Sequence, residues 1–469
     1  MEEYSEGRQE REIKSLIQRF EEMLQQGNHY FFDAEDFEDI IDYFLSEYNL
    51  PNSKQAIDFA IAQHPSNTNF LLKKAQYFLL SQKPKKALEI LISLEAIEPA
   101  NSDIYTIKAN IFSEMQEYKK ALAEHKKALE YGEDTEGTLT NIAFEYENLS
   151  EYSEAIKYLK KVLEINPENE AAIYELSFCY EFSEKVESSV KFFGEFIDKN
   201  PYSKAAWFNL GISYNNLELF EKAVEAYDFA IAIDETFGSA YFNKANSYAN
   251  MERHKEAIEV YKETFAYEEP EAITYYYIGE CYEKMENFES SSKYYQKAIE
   301  IDDQFADAWI GAGVSFNELG HTKTAINFIT KSVEIDSVNP DSWLILGDLQ
   351  YSDNDVEEAL KSYLKVSELD PINQEIWLII SDVFFKENEF AKAIEIIEKG
   401  IGFQKNNIDL YYRLTVYLLS SGRTKEAHKI LEFALDLDFD KHIQIFEYQP
   451  QLEKNQNIVD IISNFKNNK

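Results

Sequence analysis

The sequence predicts an all-α solenoid of stacked helix pairs, and three observations predict it. Turn-formers are scarce, with 15 Gly and 10 Pro in 469 residues, although 45% of the chain is apolar and 28% charged. That balance describes a folded chain of helices joined by short turns. Self-similarity recurs every 34 residues without an insertion, in units beginning at 34, 68, 102, 136, 170, 204, 238, 272, 306, 340, 374 and 408. Small residues recur at fixed columns of that repeat, which is what close helix–helix approach demands.

The columns test the register one by one. All four Trp (Trp207, Trp309, Trp343 and Trp377) fall in the fourth column. The eighth is Gly, Ala or Ser in ten units, among them Gly211, Gly279, Gly313 and Gly347. The twentieth is Ala in nine units and Ser53, Ser189 or Ser291 in the others. A bulky side chain there would force the paired helices A and B apart. The large fourth-column residue and the apolar twenty-fourth are expected to fill the space between units. Pro65, Pro99, Pro167, Pro201 and Pro371 close units, because proline cannot continue helix B.

Residues 204–237 carry Trp207, Leu210, Gly211, Tyr214, Ala223, Tyr227 and Ala230. This pattern resembles the tetratricopeptide repeat, W-x2-L-G-x2-Y with A-x3-F, in the form found in multi-repeat bacterial-type scaffolds. The resemblance implies a right-handed superhelix of about twelve pairs over residues 34–441, read as one domain because a repeat cannot bury its apolar face alone. Residues 1–33 are expected to form an N-terminal cap, with Ile13, Leu16, Ile17, Phe20, Met23 and Leu24 on one stripe. Residues 442–469 are expected to close the other end as capping helices. Some units depart from the pattern. Lys74 and Lys108 replace the usual Leu in column seven, His125 takes the twenty-fourth, and residues 34–67 have Ile41 in the eighth and an unusual A–B turn at Asn49 to Ser53.

Charge and composition limit the function. A formal charge of −40 disfavours nucleic acid and acidic membrane surfaces. No apolar run is long enough to insert in a bilayer, and no signal-peptide pattern opens the chain, so a cytoplasmic location is expected. Cys179 and Cys281 share column ten with Ser213, Ser247 and Ser315, which reads as small-residue replacement rather than redox chemistry. There is no phosphate loop, no HExxH and no paired CxxC; Gly311 and Gly313 lie inside a helix A, and the seven histidines share no spacing. No enzyme activity, metal or cofactor is expected.

In proteins of the resembled family, helix A lines the concave surface, mainly through columns two, five, six, nine, twelve and thirteen. At those columns the central units carry Asn141, Tyr174, Phe178, Phe208, Asn209, Asn215, Phe242, Asn243, Asn246, Asn250, Tyr276 and Tyr277, with Asn148 and Phe182 beside them. Asn both donates and accepts, matching the N–H and C=O of an extended peptide, and aromatic rings add area at little entropic cost. Column six, with Asn141, Asn209 and Asn243 interrupted by Glu175, resembles in part the asparagine ladder of O-linked N-acetylglucosamine transferase. Column five reads Thr140, Tyr174, Phe208, Phe242, Tyr276 and Ile310, so a lysine or arginine clamp on a terminal carboxylate is disfavoured. The outer units are acidic, with Glu35, Glu38, Asp39 and Asp42 at one end and Asp341, Asp348, Glu375 and Asp382 at the other.

The expected function is a protein-interaction scaffold or adaptor whose groove holds an extended, neutral-to-basic segment. The alternatives are an organiser of a larger complex through its convex face or ends, and a regulatory platform for a separate enzyme. Oligomeric state is not legible.

Overall fold

The structure, a computed structural model, describes residues 2–26, 30–132 and 135–468, with side chains between residues 13 and 466. The described residues are helical and contain no strand. The chain divides into two compact bodies, residues 1–235 and 236–469. In the first, Glu2–Gln26 precedes Ala34–Ser46 with Leu50–Gln63, Asn69–Leu80 with Pro84–Glu95, Ser102–Glu114 with Tyr118–Tyr131, Thr135–Asn148 with Tyr152–Ile165, Glu170–Phe182 with Val186–Lys199, and Lys204–Asn216 with Phe220–Ile233. The second holds Gly238–Asn250 with His254–Glu263, Ala272–Lys284 with Phe288–Ile301, Ala306–Glu318 with Thr322–Ile335, Pro340–Ser352 with Val356–Leu369, Ile376–Lys386 with Phe390–Phe403, and Ile408–Ser420 with Thr424–Leu437. In each body every pair is an A and a B helix, and consecutive pairs pack on one another.

The small columns are where the helices touch. All nine alanines of column twenty are fully buried, and Ser53, Ser189 and Ser291 are no more than 2% exposed. The twelve residues of column twenty-four, from Ile57 to Leu431, are all at 2% exposure or less. These two columns alone account for a continuous buried row in each body. A Cβ on Gly211 would stand 2.5–2.9 Å from the Tyr227 ring, so the eighth column is small because the twenty-fourth of the same repeat lies across it. Tyr295 is held on two sides, by Gly279 of its own helix A and by Gly311 of the next. The G-x-G at 311–313 is therefore two packing contacts. Buried serines take part as well: Ser189 bonds Ser213 at 2.7 Å and Ser291 bonds Ser315 at 2.9 Å, each between consecutive repeats.

The fourth column does more than fill space. The indole Nε1 of Trp207, Trp309, Trp343 and Trp377 donates to the carbonyl six residues earlier, at 2.9–3.0 Å, and so pins the loop arriving from the preceding helix B. Tyr105 and Tyr411 do the same with their hydroxyls, at 2.6 and 3.0 Å.

Every A–B turn is the same. The fifteenth column has positive φ in all twelve repeats, from Tyr48 (57°) to Gly422 (80°). In the 204–237 repeat, Glu218 N–H bonds Asn215 O at 2.9 Å and Leu219 N–H bonds Tyr214 O at 2.9 Å, and the same pair of bonds recurs in the other eleven. This is a Schellman motif. The turn at Asn49–Ser53, expected to be unusual, is the same motif: Tyr48 N–H bonds Leu45 O at 3.1 Å and helix B starts at Leu50 with Asn49 as its cap. What differs there is the sequence, not the geometry.

At the ends, Ile17, Phe20 and Met23 of the first helix are buried, with the Phe20 ring 6.0–6.4 Å from Phe32, Phe37, Phe44 and Phe59. Ile443–Tyr448 and Gln456–Asn468 bury Ile445, Ile458 and Ile462, with Leu452 between them, against the last repeat.

The irregular positions compensate one another. Buried Lys108 bonds Glu95 at 2.8 Å and Glu124 at 2.9 Å. His125, where other repeats place an apolar or tyrosine side chain, lies 3.9 Å from Glu145 in the tenth column of the next repeat. Burial lowers the His125 pKa to about 4 and raises that of Glu145.

Candidate functional site

The A-helix columns in the first body carry Tyr174, Phe178 and Phe182, with Asn141 on the A helix one repeat before and Asn215 on the one after. Phe178 and Phe182 are 41% and 55% exposed and sit 4.4 Å apart, with Tyr152 5.5 Å from Phe182. Phe144, one repeat earlier in column nine, is also exposed at 55% and was not among the expected residues, although its column predicted it. Glu147 lies between these aromatics in sequence. It accepts from the Cys179 thiol at 3.3 Å, and burial, with Glu175 opposing its charge, raises its pKa to about 7. Burial likewise raises both cysteine thiols, as structural cysteines require.

Two expected residues of this body do not face an incoming chain. Asn209 is 1% exposed and its amide donates to the Ala205 carbonyl of its own helix at 2.8 Å. Phe208 is 7% exposed, its ring 6.2 Å from Tyr174 and 5.8 Å from Tyr227. Both are corrected from binding residues to packing residues. Tight packing in the 204–237 repeat, where Ala205, Ala206, Leu210 and Gly211 are also buried, draws them in.

In the second body the expected residues come together around a cavity of about 300 Å³ lined by Phe242, Asn243 and Tyr277. The Phe242 ring meets Tyr277 edge-on at 5.7 Å, and Tyr276 stands 5.5 Å from Tyr277 and 5.0 Å from Phe305. Asn243, half-buried where Asn209 is fully buried, donates to Ser239 O of its own helix at 2.9 Å. Asn246 is corrected: it accepts a short hydrogen bond from the Tyr261 hydroxyl. Helix B supplies that hydroxyl from column twenty-four, and Tyr363 bonds Asp348 from the same column at 2.8 Å. Asn250 is exposed.

The remaining wall of the cavity comes from residues outside helix A. Helix B of this repeat ends early, at Glu263, and the loop that follows brings Glu268, Glu269 and Glu271 to the cavity. A Cβ on Gly238 would collide with the Glu268 carboxyl, so glycine at this helix start admits it. The sequence signal was available: YEEPE replaces the Asn-Pro or Asp-Pro that closes other repeats at Asn166, Asn200 and Asp370.

The outer carboxylates are partly engaged. Asp42 pairs with Lys73 at 2.6 Å, Glu38 accepts from Asn69 at 3.2 Å, and Asp382 meets Lys386 at 2.9 Å and Arg413 at 3.5 Å. Asp39 has its pKa raised by burial and then by its acidic neighbours. Among the described residues no helix is long and apolar enough to cross a membrane.

Stacked helix pairs carrying exposed aromatic, amide and acidic side chains on their A helices define an α-helical repeat scaffold for protein–protein interaction. Family models described as tetratricopeptide repeat match residues 138–169, 205–237, 238–265, 272–305 and 344–406. Over those residues the chain is built of tetratricopeptide repeats. No curated protein matches it in sequence. Similar solved structures include YrrB, described as a TPR protein with an unusual peptide-binding site, at 21% identity and TM-score 0.34, covering 39% of this chain and 95% of that one. MamA covers 36% of this chain and 92% of its own at 20% identity and TM-score 0.34. The APC/C hetero-tetramer Cut9–Hcn1 covers 90% and 95% at 12% identity and TM-score 0.37. At these values the likenesses bear on no individual residue.

Proposed function

We propose that the protein is a non-catalytic, cytoplasmic adaptor that holds an extended, neutral-to-basic polypeptide segment against its A helices. The observation that carries this reading is the cavity of the second body. Aromatic walls (Phe242 and Tyr277) and an amide (Asn243) adjoin three carboxylates (Glu268, Glu269 and Glu271). An amide there engages a peptide backbone, the rings pack on aliphatic stems, and the carboxylates attract a lysine or arginine head. The net charge of −40 steers the same partners toward the chain. Asn141, Tyr174, Phe178 and Asn215 form a separate stretch of the same kind in the first body, and Asn250, Tyr276 and Tyr277 extend the one in the second.

The test is fluorescence anisotropy with a labelled twelve-residue Lys-Thr-Gly repeat peptide and its Glu-Thr-Gly counterpart. The lysine peptide should bind, weaken with salt, and lose about tenfold or more when Glu268, Glu269 and Glu271 are changed together to Gln. Equal binding of the glutamate peptide, or no loss in the triple variant, contradicts the reading.

A further inference from the structure

The 34-residue register lets the repeats be compared on their helix B side, where some place a second ring beside the column-eleven ring and others, with Phe44 and Ala56, Tyr214 and Ala226 or Tyr248 and Val260, do not. In four repeats the column-eleven ring pairs with a column-twenty-three ring: Tyr146 with Tyr158 at 5.5 Å, Tyr180 with Phe192 at 6.3 Å, Tyr282 with Tyr294 at 5.3 Å and Phe316 with Phe328 at 5.1 Å. In two of them a lysine lies over both rings. Lys160 is 5.5 Å from Tyr180 and 4.9 Å from Phe192, and Lys262 is 5.6 Å from Tyr282 and 5.2 Å from Tyr294. The 204–237 repeat has the ring, Tyr214, and a lysine, Lys222, 5.6 Å from it. Its column twenty-three is Ala226, and the position that supplies Lys160 and Lys262 in other repeats is Gly194.

Space stands where the second ring would be. A Cβ on Gly194 would meet nothing within 4 Å, and an open cleft of about 630 Å³ runs past Gly194, Tyr214 and Ala226. Trp207 and Phe229, stacked at 4.3 Å, form another wall, and Phe229 is 53% exposed. Independently, Gly194 sits in the interior of Val186–Lys199, where glycine weakens a helix. Gly211, Gly279, Gly311, Gly313, Gly347 and Gly400 are each pressed by a neighbouring side chain, which explains them. Gly194, like Gly402 near the end of Phe390–Phe403, meets no such neighbour, and its missing side chain leaves the cleft open.

We infer that this cleft receives a single aromatic side chain from a protein partner, stacked on Tyr214 beside Lys222 as other repeats stack their own ring. The charge complements that occupant. The π face of an incoming ring is negative and meets the Lys222 ammonium, as Phe192 meets Lys160. Glu195, Asp198 and Glu225 on the rim, against Lys191 and Lys222, disfavour an acidic flank on the partner. None of the lining residues belongs to the helix A columns of the proposed groove, so the two sites are open to separate partners or to two segments of one.

The test uses Trp207 emission, isolated by difference against a Trp207→Phe chain, in titrations with N-acetyl-phenylalanine amide and N-acetyl-cyclohexylalanine amide. A saturable change is expected with the first, at least fivefold tighter than with the second, which has similar bulk and no π face. Ala226→Phe should fold, fill the cleft with the chain's own ring and weaken binding at least tenfold. Lys222→Met, which removes the ammonium while keeping the stem, should erase the preference for the aromatic compound. No saturable change up to the solubility limit, equal binding of the two compounds, or undiminished preference in Lys222→Met overturns the inference, whether or not Ala226→Phe folds.

Discussion

Replacing Gly320 by Ala and Glu286 by Gly should move stability in opposite directions, although both occupy column fifteen. Their φ angles are 79° and 56°, and both make the same Schellman bonds. A side chain in this left-handed region costs about 1–2 kcal/mol, while glycine loses about 0.5–1 kcal/mol more backbone entropy on folding. The net is about 0.5–1 kcal/mol in favour of glycine at each site. Nothing lies within 4 Å of a Cβ built on Gly320, so its substitution reports the backbone and not a clash. Gly320→Ala should therefore lose about 0.5–1 kcal/mol and Glu286→Gly should gain about as much. Urea unfolding followed by circular dichroism, with hydrogen exchange at residues 284–292 and 318–326 to localise the effect, measures both. A stable Gly320→Ala chain, or a Glu286→Gly chain that unfolds earlier, refutes the reasoning that the turn is imposed by the motif against residue preference.

Three further outcomes follow from the packing and the buried charges. Gly211→Val adds atoms where a Cβ already stands 2.5 Å from the Tyr227 ring, and should lower the urea midpoint by an amount equivalent to about 1–3 kcal/mol. His125 has its pKa depressed to about 4 by burial, so the stability it contributes is present above its unfolded value of about 6.5 and is lost as pH falls toward 4. His125→Phe should flatten the decline in urea midpoint between pH 6.5 and 4; an unchanged slope rules out this origin. Lys108→Met leaves Glu95 without this cation and Glu124 with Lys127 alone, at 3.0 Å, and should destabilise the first body by about 1–3 kcal/mol at neutral pH, measured the same way.

What the sequence could reveal depended on where the constraint lies. Columns eight, twenty and twenty-four were legible because contact with a neighbouring helix restricts residue size at every repeat. The turn was not: Tyr48, Gln82, Gln116, Ser150 and four glutamates, besides Asn354 and Asn388, share a conformation none of their side chains announces. The aromatic and amide residues of the A helices were legible as types, and Phe178, Phe242, Asn243 and Tyr277 lie at surfaces. Whether an amide is already engaged was not, because the Tyr261 hydroxyl that takes Asn246 comes from helix B and the carbonyl that takes Asn209 from its own turn. Glu268, Glu269 and Glu271 lie beyond helix B, outside the columns that mark the face, and only the early end of that helix brings them in.

Hydrogen exchange of the intact chain with and without the lysine repeat peptide tests the proposed groove most directly. Protection should appear in 238–250, 264–271 and 272–284 and be absent from 288–301. Protection confined to B helices, or none at saturating peptide, would contradict the account.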